Sequence, residues 1–145
     1  MAEPDDPTPD RLRRLPTWLL SQASARSHRL VGSALSRAGA SGYQFRVLAA
    51  LDELGPVSQV ELGRAAGLDR SDVAATVAEL EQRGSIRRAV DPDDLRRKRV
   101  ALTPAGRRLL TRLDTALDGV QQQLLEPLSA TERDTLVVLL ARLGQ

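Results

Sequence analysis

Residues 58–84, SQVELGRAAGLDRSDVAATVAELEQRG, narrow the possible folds more than any other part of the chain. Ser58 with Glu61 three residues on is a capping box, in which side chains satisfy the free N–H groups at a helix start. A short helix then runs to Ala66, where Gly67 can take the left-handed conformation that ends it. Asp69 or Ser71 caps a second helix, whose Val73, Val77 and Leu80 recur at spacings of four and three. Gly84 terminates that helix, and the small Ala65 and Ala66 stand where the two helices approach. Two short helices joined by a tight turn make a helix-turn-helix.

The next twenty residues limit the fold further. SIRRAV (85–90) and RKRVALT (97–103) both have strand character, with Ile86 and Val90 on one face of the first and Val100 and Leu102 on one face of the second. The intervening DPDDLRR carries Asp-Pro and paired Asp, which is turn chemistry, and reads as the tip of a β-hairpin. A helix-turn-helix leading directly into a two-stranded hairpin is a winged helix. Its shape suits DNA. A helix fits the major groove, where each base pair shows a distinct donor and acceptor pattern. A hairpin beside it can place Arg in the minor groove, where negative potential is focused.

The flanks are helical. From about 15 to 38, Leu19, Ala23, Leu30, Val31, Ala34 and Leu35 suit one face of a long helix. A second helix over about 42–54 turns Phe45, Leu48, Ala49 and Leu51 inward and stops at GPVSQ. Thr103 as N-cap and Pro104 at the first helical position open another, with Leu109, Leu113, Leu117, Val120, Leu124 and Leu128 along one seam and Pro127 ending it before Leu128. SATE (129–132) is a further capping box, starting a last helix with Leu136, Leu139, Leu140 and Leu143. The expected fold is mainly α with a small β-hairpin (α+β). Residues 1–11 form an acidic, disordered tail, 42–103 the winged helix-turn-helix lobe, and 12–40 with 104–145 the flanking helices. The lobe closes its own core, so the amphipathic flanks need a partner, and a two-fold homodimer is the simplest closure.

Composition removes other classes. The chain has no Cys and one His, which excludes disulfides and thiolate metal sites and argues against structural zinc; no metal or cofactor is expected. No nucleophile–base pair, carboxylate pair or phosphate-cradling loop is present, so an enzyme is not expected. Asp91, Asp93 and Asp94 mimic a cation site, but Pro92 and the four cations at 96–99 argue against it. Net charge is +2, yet four acids and no base fall in the first ten residues, which leaves +6 on the remainder. Arg supplies 20 of the 21 cations, and Arg reads phosphates and base edges better than Lys. No apolar run reaches the roughly 18 residues needed to span a bilayer. The apolar patch near Leu19 is broken by Pro16, Ser21 and Gln22, so no leader is read there and a cytoplasmic protein is expected.

From about residue 12 onward the chain resembles the MarR family of winged helix-turn-helix transcriptional regulators. The most specific element is the wing pattern D-x-R-x5-L-T-x2-G, filled by Asp94, Arg96, Leu102, Thr103 and Gly106. SQVELGRAAGLDRSDV is similar to the family's helix-turn-helix. The pattern departs at Leu95, where many relatives carry Arg, and at Ala74 and Ala75, where many carry bulkier polar residues. The resemblance implies a homodimeric regulator, most often a repressor, on a pseudo-palindromic double-stranded DNA operator, often released by a small aromatic or phenolic ligand. On this reading Arg96 enters the minor groove, Arg97 meets phosphate or groove, and Asp94 bonds the wing backbone or orients Arg96. Lys98 and Arg99 fall on opposite faces of their strand, and Arg87 and Arg88 are equally undecided. Arg70, Ser71, Asp72 and Thr76 are the expected base or phosphate contacts, with Asp72 serving alternatively as a helix cap. Ser58 and Gln59 could hold a phosphate through backbone N–H groups, or cap only. An effector pocket would draw on Trp18, His28, Tyr43 and Arg46. The alternative function is a winged-helix protein-interaction module with no operator.

Overall fold

A computed structural model of the protein describes residues 6–145. The first five residues of the expected tail lie outside the described residues. From Asp10 the chain already forms a helical turn, α1 (Asp10–Arg13). After it come α2 (Pro16–Ala38), α3 (Gly42–Leu54), α4 (Gln59–Ala66), α5 (Arg70–Gln82), β1 (Ile86–Val90), β2 (Lys98–Leu102), α6 (Pro104–Leu124) and α7 (Ala130–Leu143). The mainly α architecture with one small antiparallel hairpin is as expected. Ser41, Ser58 and Ser129 each close a capping box, with Gln44, Glu61 and Glu132 as the reciprocal partners.

The core is aliphatic and sits under the helix-turn-helix. Val47, Leu48 and Leu51 of α3, Leu62 of α4, Val73, Val77 and Leu80 of α5, and Leu109, Leu110 and Leu113 of α6 form one buried cluster. Ile86 and Val100 bring the hairpin into it, and Leu35 brings in the end of α2. β1 and β2 pair with Ile86 opposite Leu102 and Val90 opposite Lys98. One link has no sign in GPVSQ. Val57 exchanges backbone hydrogen bonds with Val100 at 3.2 and 2.7 Å, which pins the strand leaving the core to the segment before α4.

The junction from hairpin to α6 explains the LT-x2-G part of the wing pattern. The Thr103 hydroxyl accepts the Gly106 N–H at 3.1 Å and donates to the Gly84 carbonyl at 2.6 Å. The Thr103 N–H reaches the Ser85 carbonyl at 3.1 Å. Gly106 is required by close approach. A Cβ there would overlap the Ser85 carbonyl oxygen and lie 2.8 Å from Leu102 Cδ1.

The flanks are incompletely covered within the chain. On α2 only Ala34 and Leu35 are buried, while Leu19 and Ala23, on the expected apolar face, are exposed. The core cluster meets only the C-terminal part of α2. No residue of α7 is buried, and Val137, Val138, Leu139, Leu140 and Leu143 are all exposed. Among the described residues no helix is long and apolar enough to cross a membrane.

Candidate nucleic-acid interface

The helix-turn-helix is held by local chemistry. Gly67 takes φ 62°, the left-handed conformation that ends α4. Asp69, not Ser71, caps α5, accepting the Asp72 N–H at 2.8 Å. Arg46 reaches across from α3, donating through Nε to the Ala66 carbonyl at 2.8 Å and through Nη2 to the Gly67 carbonyl at 2.6 Å. Its guanidinium also lies 5.4 Å from the centre of the Tyr43 ring. Arg46 is therefore a clamp on the C-terminal carbonyls of α4, and its donors face protein rather than a pocket.

A second polar link joins the end of α5 to the α2–α3 junction. Buried Gln44 donates through Nε2 to Glu79 at 3.0 Å, and its Oε1 accepts from Arg83 Nη1 at 3.1 Å. The same Arg83 nitrogen donates to the Gly39 carbonyl at 2.6 Å. Glu79, Gln44 and Arg83 thus fix how α5 sits against α3.

The outward side of α5 carries Arg70 and Ser71 at its start, then Ala75 and Ala78. Asp72 is half-buried, in the first turn. Thr76 does not belong to this surface. It is 3% exposed, and its hydroxyl donates to the Asp72 carbonyl at 2.7 Å. A helical Thr can be buried when its hydroxyl bonds back to the carbonyl four residues earlier.

The start of α4 is the expected capping box. The Ser58 N–H and hydroxyl both donate to Glu61 Oε2 at 3.1 Å, and the hydroxyl accepts the Glu61 N–H. These contacts with Ser58, backbone first and hydroxyl second, hold the Glu61 carboxyl below its ordinary pKa. A phosphate arriving at Ser58 would meet that carboxylate, so Ser58 is a cap. Gln59 remains half-exposed and lines an open cleft of about 390 Å³ between α4 and α5, with Val60, Arg64 and Arg70.

The wing is a clasped turn. Asp91 Oδ1 accepts the Asp93 N–H at 2.9 Å, and Asp91 Oδ2 lies 3.2 Å from Arg99 Nε. The Asp93 N–H is the largest cause holding the Asp91 carboxyl below its ordinary value; Arg99 adds to it, and desolvation opposes it. At the tip, Asp94 Oδ1 accepts the Arg96 N–H at 3.0 Å. The Asp94 carboxylate pairs, at 3.7 Å, with Arg97 rather than Arg96. Among the described residues the Arg96 guanidinium has no ion-pair partner, and the residue is exposed. The Arg97 side chain is 75% exposed, so its pairing is a weak surface contact. Of the four undecided cations, Arg88 pairs with Glu81 at 3.5 Å and Arg99 with Asp91 and Asp93. Arg87 and Lys98 are exposed and make no ion pair among the described residues.

Of the residues named for an effector pocket, Tyr43 and Arg46 are in contact on α3, while Trp18 and His28 stand on α2. Trp18 and His28 lie ten positions apart on α2, about 15 Å along its axis. Tyr43 is at the start of α3 beneath Arg46. The clefts at the α4–α5 crease and at the α2–α3 junction are lined by other residues. Among the described residues no cluster of three or more His, Cys, Asp or Glu could hold a metal ion.

Comparison with known proteins agrees with this geometry. A family model, described as the MarR family, matches residues 35–97. A probable transcriptional regulator from Pseudomonas aeruginosa is 40% identical, with 92% of this chain and 99% of that one covered and a TM-score of 0.80. The PcaV transcriptional regulator from Streptomyces coelicolor, solved in complex with its natural ligand, is 31% identical over 99% of this chain and 97% of that one, at a TM-score of 0.77. The transcriptional repressor CouR, solved bound to a 23-mer DNA duplex, is 27% identical over 97% of this chain and 99% of that one, at a TM-score of 0.86. The chain belongs to the MarR family of winged-helix transcriptional regulators.

Proposed function

We propose that the protein is a cytoplasmic, homodimeric repressor that binds a pseudo-palindromic operator in double-stranded DNA. The observation that carries this reading is the Arg96 guanidinium, without an ion-pair partner among the described residues and held out on a clasped hairpin directly after a helix-turn-helix with a small-residue outer face. In this reading α5 enters the major groove with Arg70 and Ser71 leading. Arg96 enters the adjacent minor groove, Arg97 and Lys98 meet phosphates, and Asp94 holds the tip in shape. The winged lobe corresponds to residues 42–103. The flanking helices, 12–40 and 104–145, form the dimer, and the bare apolar faces of α2 and α7 support that assignment because a second copy would cover them. The two copies of α5 would then meet major grooves one turn, about 34 Å, apart.

Release by a small aromatic or phenolic ligand completes the proposal, supported by the relative solved with its natural ligand. Such a ligand acts by favouring a geometry in which the two helices are wrongly spaced, a coupling of about 1–3 kcal/mol.

Selection of random duplex DNA by the full-length protein is the direct test. A palindrome should be enriched; a flat profile would overturn the operator reading in favour of a protein-interaction module. On the selected duplex, Arg96→Ala should weaken binding and lower the salt slope by about one or less per wing. Unchanged affinity and slope would remove Arg96 from the interface.

A further inference from the structure

Leu95 is the residue of the wing that phosphate and base contacts by Arg96 and Arg97 leave unused. It is 82% exposed, more than any other large apolar side chain among the described residues. A single exposed leucine is ordinary on a protein surface. This one stands on a constrained backbone. Asp94 accepts the Arg96 N–H through its side chain at 3.0 Å and the Arg97 N–H through its carbonyl at 2.9 Å. The preceding turn is fixed by Asp91 through the Asp93 N–H. Two cations come directly after it, one with no ion pair among the described residues and one weakly paired. Leu95 is thus an exposed apolar side chain next to those cations on a turn with little backbone ordering left to lose.

Resting on the reading of the wing as a minor-groove element, we propose that Leu95 is a specificity-determining contact. It presses on the floor of the minor groove, admits A·T pairs there and rejects G·C. The chemistry of the floor supports this. An A·T pair shows only acceptors, adenine N3 and thymine O2, whereas G·C adds the guanine N2 amino donor. Leucine can neither accept from that amino group nor make room for it. Burying the amino group without a partner forfeits its hydrogen bond to water. The guanidinium of Arg96 has donors and no acceptor, so it satisfies the A·T floor and cannot rescue the amino group. Leu95 and Arg96 together read what the groove lacks as well as what it offers.

The test uses the full-length protein on a duplex that it has itself selected from random DNA. The A·T pair facing the wing is replaced by G·C, then by inosine·cytosine, which keeps the major-groove edge of G·C and lacks the amino group. G·C should weaken binding about tenfold, and inosine·cytosine should restore it to within about twofold. Leu95→Ala should shrink the G·C penalty to about threefold or less and leave the salt slope unchanged, because no charge is lost. Inosine·cytosine binding as weakly as G·C would overturn the proposal, as would a Leu95→Ala variant that keeps the full penalty. Leu95 is solvent-exposed, so its replacement leaves the core intact. A selection that enriches no sequence would instead overturn the operator reading, which is a separate outcome.

Discussion

Thr103 joins the wing to α6, and removing its hydroxyl should loosen both. The hydroxyl caps α6 through the Gly106 N–H and also donates to the Gly84 carbonyl at 2.6 Å. Thr103→Val keeps the shape and the β-branch and deletes both bonds. Loss of an N-cap costs about 1 kcal/mol, and a second hydrogen bond about 1 kcal/mol more, for a total of about 2 kcal/mol. With a urea m-value of about 2 kcal/mol per molar, the midpoint of unfolding should fall by about 1 M. Protein concentration must be equal in both samples, because any association adds to apparent stability. Thr103→Ser retains the hydroxyl and should stay within about 0.3 M of the parent. The reasoning fails if the Val variant unfolds at the parental midpoint, or if Ser and Val fall equally. Since Val keeps the γ-methyl and Ser keeps the hydroxyl, the second result would mean that the methyl matters as much as the hydroxyl.

The neighbouring contacts make two further outcomes testable. Gly106→Ala should destabilise by about 1–3 kcal/mol, since its Cβ has no room against the Ser85 carbonyl and Leu102. Gly119→Ala in the same helix meets no atom within 4 Å and should stabilise by about 0.5–1 kcal/mol, so urea midpoints moving in opposite directions check the pair. The Asp91 clasp predicts an acid dependence. The folded carboxyl titrates below its ordinary value of 3.8, so its contribution is fully present above that value and is lost as pH falls through the lowered folded pKa. The Asp93 amide resonance, tracked by NMR, should therefore shift with a midpoint below 3.8; a midpoint at or above 3.8 would contradict the clasp.

Much of the fold is legible in the sequence because its signals are local. Ser58 with Glu61, Gly67 in its left-handed turn and Thr103 before Pro104 each specify a boundary within four residues. Thr76 misleads because its polarity suggests the outer face while its phase dictates the inner one. It lies three residues after Val73 and four before Leu80, on the face those residues bury. The partner of Asp94 turns on tip geometry, and one residue of register separates Arg97 from Arg96. The Gln44 network spans 35 to 39 residues, and the Val57–Val100 bridge is one residue wide, so neither leaves a periodic trace. Of Trp18, His28, Tyr43 and Arg46, only the last two meet, on α3. The fold separates the first two along α2 and gives Arg46 a role that only the nearness of α3 to the end of α4 reveals.

The charges of the site divide its work. On α5 the only cation is Arg70, against Asp72, Glu79 and Glu81. The hairpin and its turn, residues 86–102, carry six cations against three carboxylates. After pairing within the chain, Arg87, Arg96 and Lys98 make no ion pair among the described residues, and Arg97 is held only weakly. An acidic helix in a major groove gains little from phosphates. In the operator reading its Ala75 and Ala78 would instead allow close approach, and close approach selects by shape and by contact with thymine methyl groups. Counterion release, and with it most of the salt dependence, would then come from the wing. Thus in the operator reading the wing contributes affinity as well as selectivity. In that reading the Asp94 and Asp91 clasps would favour binding, because a loose hairpin would lose on binding the ordering entropy that these carboxylates have already removed.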